Sequence, residues 1–306
     1  MAIYKRGKAR LLEYESLASS RLGAINQALI ADYIESARRR VVKLKRKEKS
    51  PAEQAVMGRS LKQKNAKADD RKIAPATINR ELATLRSLLR LAQEWNIIAG
   101  TPRIRMLKGE RCREFVLNHQ QEGLYLAAAP QPLHDVALLI LDTGLRVGEA
   151  VALEWGDIHL DPAHGGRFGY LQVREGKSKN ARRNISLTER INRMLVNRAL
   201  ESKSSFVFAG ETGKPFLVTS LCHQHGRVRT NFNLPKDFVI HSLRHTMLTR
   251  LGEAGADTFT IERIAGHRSI TVSERYVHPT PEGLERAFER LEAFNREAIG
   301  KAPCLG

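Results

Sequence analysis

Apolar residues recur every three or four positions along most of this chain, but between Trp155 and Leu187 the spacing changes. A stripe at helical spacing marks a helix with one buried face, whereas short apolar runs bounded by turn residues mark strands. Three such runs stand here: Trp155 to Leu160, Tyr170 to Arg174, and Arg183 to Leu187. Gly165-Gly166 and the polar stretch 176–182 supply the turns between them. The expected fold class is therefore mainly α with a small antiparallel β-sheet (α+β).

The helical parts are equally patterned. Ile25, Leu29, Ile30, Tyr33, Ile34 and Val41 predict a helix over 24–45. Pro75 and Thr77 open a second helix, whose stripe runs through Ile78, Leu82, Leu85, Leu88, Leu89, Ala92 and Trp95. Arg80, Arg86 and Arg90 lie on its other faces, where they suit either a DNA groove or the polar outside of a bundle. Gly100, Pro102 and the basic run to Arg113 read as a linker. Beyond it, helices are expected at Glu122 to Ala129, Leu133 to Leu141 and Arg146 to Leu153, and from His241 nearly to Ala298. The division expected is an N-terminal extension 1–23, a helical unit 24–108 with a basic insertion 42–72, and a second unit 114–300.

Charge narrows the partner. The formal net charge is +18, and residues 36–72 hold 14 Lys and Arg against 4 Asp and Glu. Such a balance favours a polyanion, with nucleic acid ahead of an anionic membrane surface. A charged segment needs no fixed geometry to release counterions from DNA, so Arg38, Lys43, Lys45 and Arg46, with Arg80 and Arg86, are candidate DNA contacts. No apolar run is long enough to span a membrane, and the basic N-terminus lacks the apolar core of a secretory signal. Cys112, Cys222 and Cys304 are far apart and odd in number, so neither a metal site nor a disulfide framework is expected. A reducing cytoplasmic setting follows as the expectation.

Four spots carry phosphate-handling chemistry. In Thr143-Gly144-Leu145-Arg146-Val147-Gly148-Glu149, an arginine begins a helix against the sense of its dipole, beside free backbone N–H groups. Glu149 either orients it toward a phosphate or forms a surface ion pair. The turn Gly176-Lys177-Ser178-Lys179 sets lysines on a hairpin. His241 and Arg244, three residues apart, share a helix face. Gly266-His267 closes a helix, and Tyr276 follows nine residues later.

Taken together, TGLRVGEAVALEWGDI, a lysine in a β-turn, and HSLRHTMLTRLGEAGADTFTIERIAGHRSITVSERYVHPT resemble the signature of the tyrosine recombinases, which include phage integrases and Xer-type recombinases. The resemblance covers residues 122–285. More loosely it extends over 24–105, where IADYIESARRR and ATINRELATLRSLLRLAQEWNII are similar to that family's helical core-binding domain. It implies a catalytic set of Arg146, Lys177, His241, Arg244, His267 and Tyr276, with Glu149 supporting. The hairpin is one residue longer than usual in the family, which leaves Lys179 as the alternative to Lys177.

The implied chemistry is cutting and rejoining of double-stranded DNA through a 3′-phosphotyrosyl ester, without cofactor, metal or ATP. Tyr276 is the implied nucleophile and His241 the candidate general base. Lys177 is the candidate acid for the leaving 5′-oxygen, and the arginines grip the non-bridging oxygens. A type IB-like topoisomerase and a non-catalytic DNA-binding protein are the competing readings. A recombinase implies a homotetramer on paired sites. The stripe Leu284, Phe288, Leu291 and Phe294 suits a terminal helix packed on a neighbouring subunit or on its own domain. The 23 residues ahead of the first predicted helix leave no room for a separate arm-binding domain, although MAIYKRGK resembles the opening of one.

Overall fold

The stripe that begins at Ile78 becomes one long helix, α4 (Pro75–Glu94), with proline at its start, where the missing N–H costs nothing. The computed structural model describes residues 2–42, 71–110, 115–162, 166–174, 182–277 and 281–300, in two units, 1–112 and 113–306.

In the first unit, α4 packs against α1 (Ala2–Leu12) and α3 (Gln27–Arg39), and α2 (Glu15–Ala18) packs against α1 and α3. The core joins Ile30, Tyr33 and Ala37 of α3 to Ile78, Leu82, Leu85 and Leu89 of α4. Leu11 and Leu17 enter the same core. Residues 1–23 are thus not an extension set apart from the helical unit. Lys5, Arg6, Lys8 and Arg10 stand between Tyr4 and Leu11 and interrupt the apolar stripe, so the sequence shows no clear period there. Gly7 lets α1 lie close against α4, since a Cβ there would lie 2.3 Å from Thr84 Oγ1.

The helix read over 24–45 is shorter at both ends. Asn26 caps it, its side chain accepting from Leu29 N at 2.9 Å. It stops at Arg39, because Val41 and Val42 form strand β1 against β2 (Arg71–Lys72). Buried Glu81 accepts a hydrogen bond from the Tyr33 hydroxyl at 2.8 Å and pairs with Arg40, tying α3 to α4. Asn79 fastens the chain beyond α4 by exchanging hydrogen bonds with the backbone of Leu107 at 2.7 and 2.9 Å.

The second unit is built round α6 (Leu133–Thr143), apolar on nearly every side and buried accordingly. Against it pack α5 (His119–Ala128), α7 (Val147–Val151), α8 (Glu189–Glu201), α9 (Val218–Asn231) and α10 (Ile240–Glu253). The sheet is antiparallel in the order β3 (Ile158–His159), β4 (Tyr170–Val173), β5 (Arg183–Ser186). Trp155 to Asp157 is a 3-10 turn, not strand, because Asp157 folds back to accept from Glu154 N at 3.1 Å. The chain continues through α11 (Thr258–Ala265), α12 (Ile270–Ser273), a 3-10 turn (Glu274–Tyr276) and α13 (Pro281–Gly300). Among the described residues no helix is long and apolar enough to cross a membrane.

Candidate active site

The last carbonyls of a helix have no partner within it. At the end of α11, arginines take them up. Ile264 O accepts from Arg183 Nε at 2.7 Å, Ala265 O from Arg244 Nη2 at 2.7 Å, and Gly266 O from Arg146 Nη2 at 3.0 Å. Gly266 supplies the left-handed turn, at φ +63°, that exposes these oxygens. Cations at a helix C-terminus also meet its dipole in the favourable sense.

Each guanidinium has a second tether. Gly144, left-handed at φ +66°, ends α6 and offers its carbonyl to Arg244 Nη1. Arg146 Nη1 pairs with Glu149 Oε1 at 2.7 Å, and Glu149 Oε2 accepts from Arg146 N at 2.9 Å. The same Glu149 oxygen accepts from Arg183 Nη2 at 2.9 Å. Burial works against the Glu149 charge, but Arg183 and Arg146 outweigh it and hold its pKa below the ordinary carboxylate value. Arg244 is 2% exposed, while 41% of the Arg146 side chain is open. Burial, with Arg146 nearby, draws the Arg244 pKa down to about 10, so it is still charged at neutral pH. A guanidinium has five N–H donors, so the two bonds described for each of Arg146 and Arg244 leave donors for a phosphate.

Four rings stand beside this end of α11. The Tyr276 hydroxyl lies 2.7 Å from His245 Nδ1. The His245 ring meets His241 edge-on, with centroids 5.0 Å apart. His267 lies near-parallel to Tyr276, with centroids 6.2 Å apart and 17° between the planes. The buried Ser273 hydroxyl fixes His267 through Nδ1 at 2.8 Å. Tyr276 itself is 7% exposed. Burial raises its pKa, and Arg244 and Arg275 offset part of that rise. At the backbone, Gly252 of α10 admits the Tyr276 carbonyl, because a Cβ at 252 would lie 1.9 Å from that oxygen.

Residues 101–282 match the Phage integrase family. The chain belongs to that family. The integrase-family span contains every one of these site residues. Tyrosine recombinase XerC of Pediococcus pentosaceus is 27% identical over 237 residues, which cover 72% of this chain and 77% of that protein. The putative integrase of Pseudomonas phage Pf1 is 27% identical over 224 residues, 71% of this chain but only 61% of the phage protein. Among solved structures, the Tn1549 transposon integrase in complex with transposon right end DNA superposes with a TM-score of 0.68 at 21% identity, over 94% of this chain and 93% of that one. That likeness is one of fold.

Of the residues singled out in the integrase motifs, Arg146, Glu149, His241, Arg244, His267 and Tyr276 come together. Lys177 and its alternative Lys179 lie outside the described residues, as do Lys43, Lys45 and Arg46. In the first unit Arg38 and Arg80 are exposed, whereas Arg86 is half-buried and donates to Ile104 O. Two members of the cluster had been given no role from the sequence. Arg183 looked like one more charge in a polar hairpin; the signal was its alternation with Ile185 and Leu187, which turns it inward. His245 stood in the HSLRH motif, but only folding brings it to Tyr276.

Three histidines here are held neutral. Burial, with neighbouring cations, pushes His241 and His267 down to about 4, although part of the His241 surface is open. Buried His225 is also lowered; its Nε2 donates to Phe238 O at 3.0 Å, and its Nδ1 accepts from the Tyr125 hydroxyl at 2.9 Å. The unfolded chain takes protons on these rings below about pH 6.5 and the fold resists them. Their contribution to stability is therefore complete above pH 6.5 and declines as pH falls toward 4. The urea midpoint should be lower at about pH 5 than at about pH 7.5, and His225→Gln should remove part of that difference. Equal midpoints would contradict the assignment.

Proposed function

We propose that this chain is a site-specific DNA recombinase that cuts and rejoins strands through Tyr276. The observation that carries the reading is the meeting of a phenol with two tethered guanidiniums at one helix end. A phosphodiester repels nucleophiles, and in-line attack places further charge on its non-bridging oxygens. Preorganised Arg146 and Arg244 meet that charge where it develops. As the Tyr276 oxygen bonds to phosphorus, the bond to the 5′-oxygen breaks and the 3′ end stays on the protein. The phenolic proton goes to a histidine, and the 5′-oxygen takes one from Lys177. One ester replaces another, so the exchange needs no ATP. A free 5′-hydroxyl of a partner strand reverses it.

The names of the relatives support this reading, and so does the excess positive charge. The C-terminal helix supports assembly into a tetramer, since Leu284, Phe288, Leu291 and Phe294 of α13 are all exposed at helical spacing. A topoisomerase of related chemistry relaxes DNA without pairing sites, so the test is strand exchange. Two labelled duplexes, copied from the joined ends of the DNA element around the gene, should yield recombinant products with this chain alone or with extract added. Relaxation of a plasmid carrying the site, without exchange under either condition, would favour the topoisomerase.

A further inference from the structure

We propose that His245, rather than His241, takes the phenolic proton of Tyr276 as the tyrosine attacks. This rests on the reading of Tyr276 as nucleophile. A general base acts within hydrogen-bond reach of the atom it deprotonates, about 2.6–3.2 Å directly or through one water. His245 Nδ1 does, at 2.7 Å from the hydroxyl. The His241 ring is one ring removed, perpendicular to His245 with its centroid 5.0 Å away. A neutral imidazole has one donor and one acceptor nitrogen. With Nδ1 accepting from the phenol, the ring carries its proton on Nε2, the tautomer a base requires.

The fold fixes this pair from both ends. His245 follows Arg244, whose guanidinium is anchored on Gly144 O and Ala265 O, so the helix face that bears His245 is set by the same tethers. The Tyr276 carbonyl is seated against Gly252, farther along the same helix. One helix thus holds both the hydroxyl and the backbone of the nucleophile. His241 and His267 are electrostatically coupled to the His245 ring. His241, one turn earlier on α10, faces solvent.

The step balances. The Oη–P bond forms as the P–O5′ bond breaks, and the phenolic proton moves to Nδ1, leaving an imidazolium. The departing 5′-oxygen is protonated from the other side, by Lys177 in this reading. In the return step the incoming 5′-hydroxyl gives its proton to the now neutral Lys177 amine as its oxygen bonds to phosphorus, the P–Oη bond breaks, and the imidazolium gives its proton back to Tyr276.

The experiment uses the full chain and a nicked duplex copied from the joined element ends, with either oxygen or sulfur as the 5′ leaving atom. A sulfur leaving group needs no acid, so it rescues a lost acid and not a lost base. His245→Ala should slow covalent adduct formation about 100-fold or more with both leaving atoms, in the range general bases contribute. His245→Asn keeps an acceptor near the Nδ1 position but takes no proton; it should keep parental melting and DNA affinity and remain about as slow. His241→Ala should lose less. An adduct rate for His245→Asn within about threefold of the parent, or a rate restored by sulfur, overturns the proposal. An adduct that persists in Tyr276→Phe overturns the nucleophile, and the role of His245 with it.

Discussion

Replacing Tyr276 by Phe should abolish the covalent protein–DNA adduct while leaving the protein folded. The change removes one oxygen and no ring. The ring packs in a small apolar cluster with Leu248, Ile261 and Ala265, and that packing survives. What is lost for stability is the hydrogen bond to His245, about 0.5–1.5 kcal/mol. What is lost for activity is the only atom of the side chain able to form an ester. On a nicked duplex the parent chain should trap a species that withstands detergent, and the variant should trap none, at unchanged DNA affinity. A trapped species from the variant would place the nucleophile elsewhere.

The second large effect is expected at a residue with no side chain. Gly252→Ala puts a Cβ where the Tyr276 carbonyl oxygen now lies 1.9 Å away and its carbon 3.0 Å away. Both are backbone atoms, so no rotamer change relieves the clash. Either α10 or the turn bearing Tyr276 must shift. Overpacking of this kind costs about 1–3 kcal/mol, which should appear as a lower melting temperature. The shift also moves the phenol relative to the arginines, and misplacement by about 1 Å costs on the order of 100-fold in rate. Adduct formation should therefore fall much further than DNA affinity does. Parental melting together with a parental adduct rate would mean that the turn does not depend on its seat against α10.

These outcomes bear on what could be read before folding was known. The sheet was legible because its three runs break the helical period, and α6 because it is apolar on nearly every side. His241 and Arg244 were legible as a pair, since three residues along a helix is a fixed geometry. Arg183 was not, because a charged residue in a polar hairpin reads as a solvated face unless the alternation with Ile185 and Leu187 is weighed. The His245–Tyr276 contact joins residues 31 apart in sequence and depends on how the turn after α12 settles on α10. Gly252 is of the same kind: its importance lies in what approaches it, and nothing local to LTRLGEAG announces that. In the first unit, α1 escaped notice because Lys5, Arg6, Lys8 and Arg10 separate its apolar residues at its two ends. Their partners, Leu85 and Leu89 among them, lie on a helix some seventy residues away.

The arginines that cap α11 have a consequence for DNA integrity. In the proposed reaction cutting and resealing call on the same guanidiniums, and those guanidiniums share one scaffold. Loosening of that helix end releases Arg146 and Arg244 together, so the power to break a strand fails in step with the power to mend it. An enzyme that lost only the second would leave its genome nicked. On the proposed mechanism, damage to this scaffold is expected to yield an inert protein rather than a hazardous one.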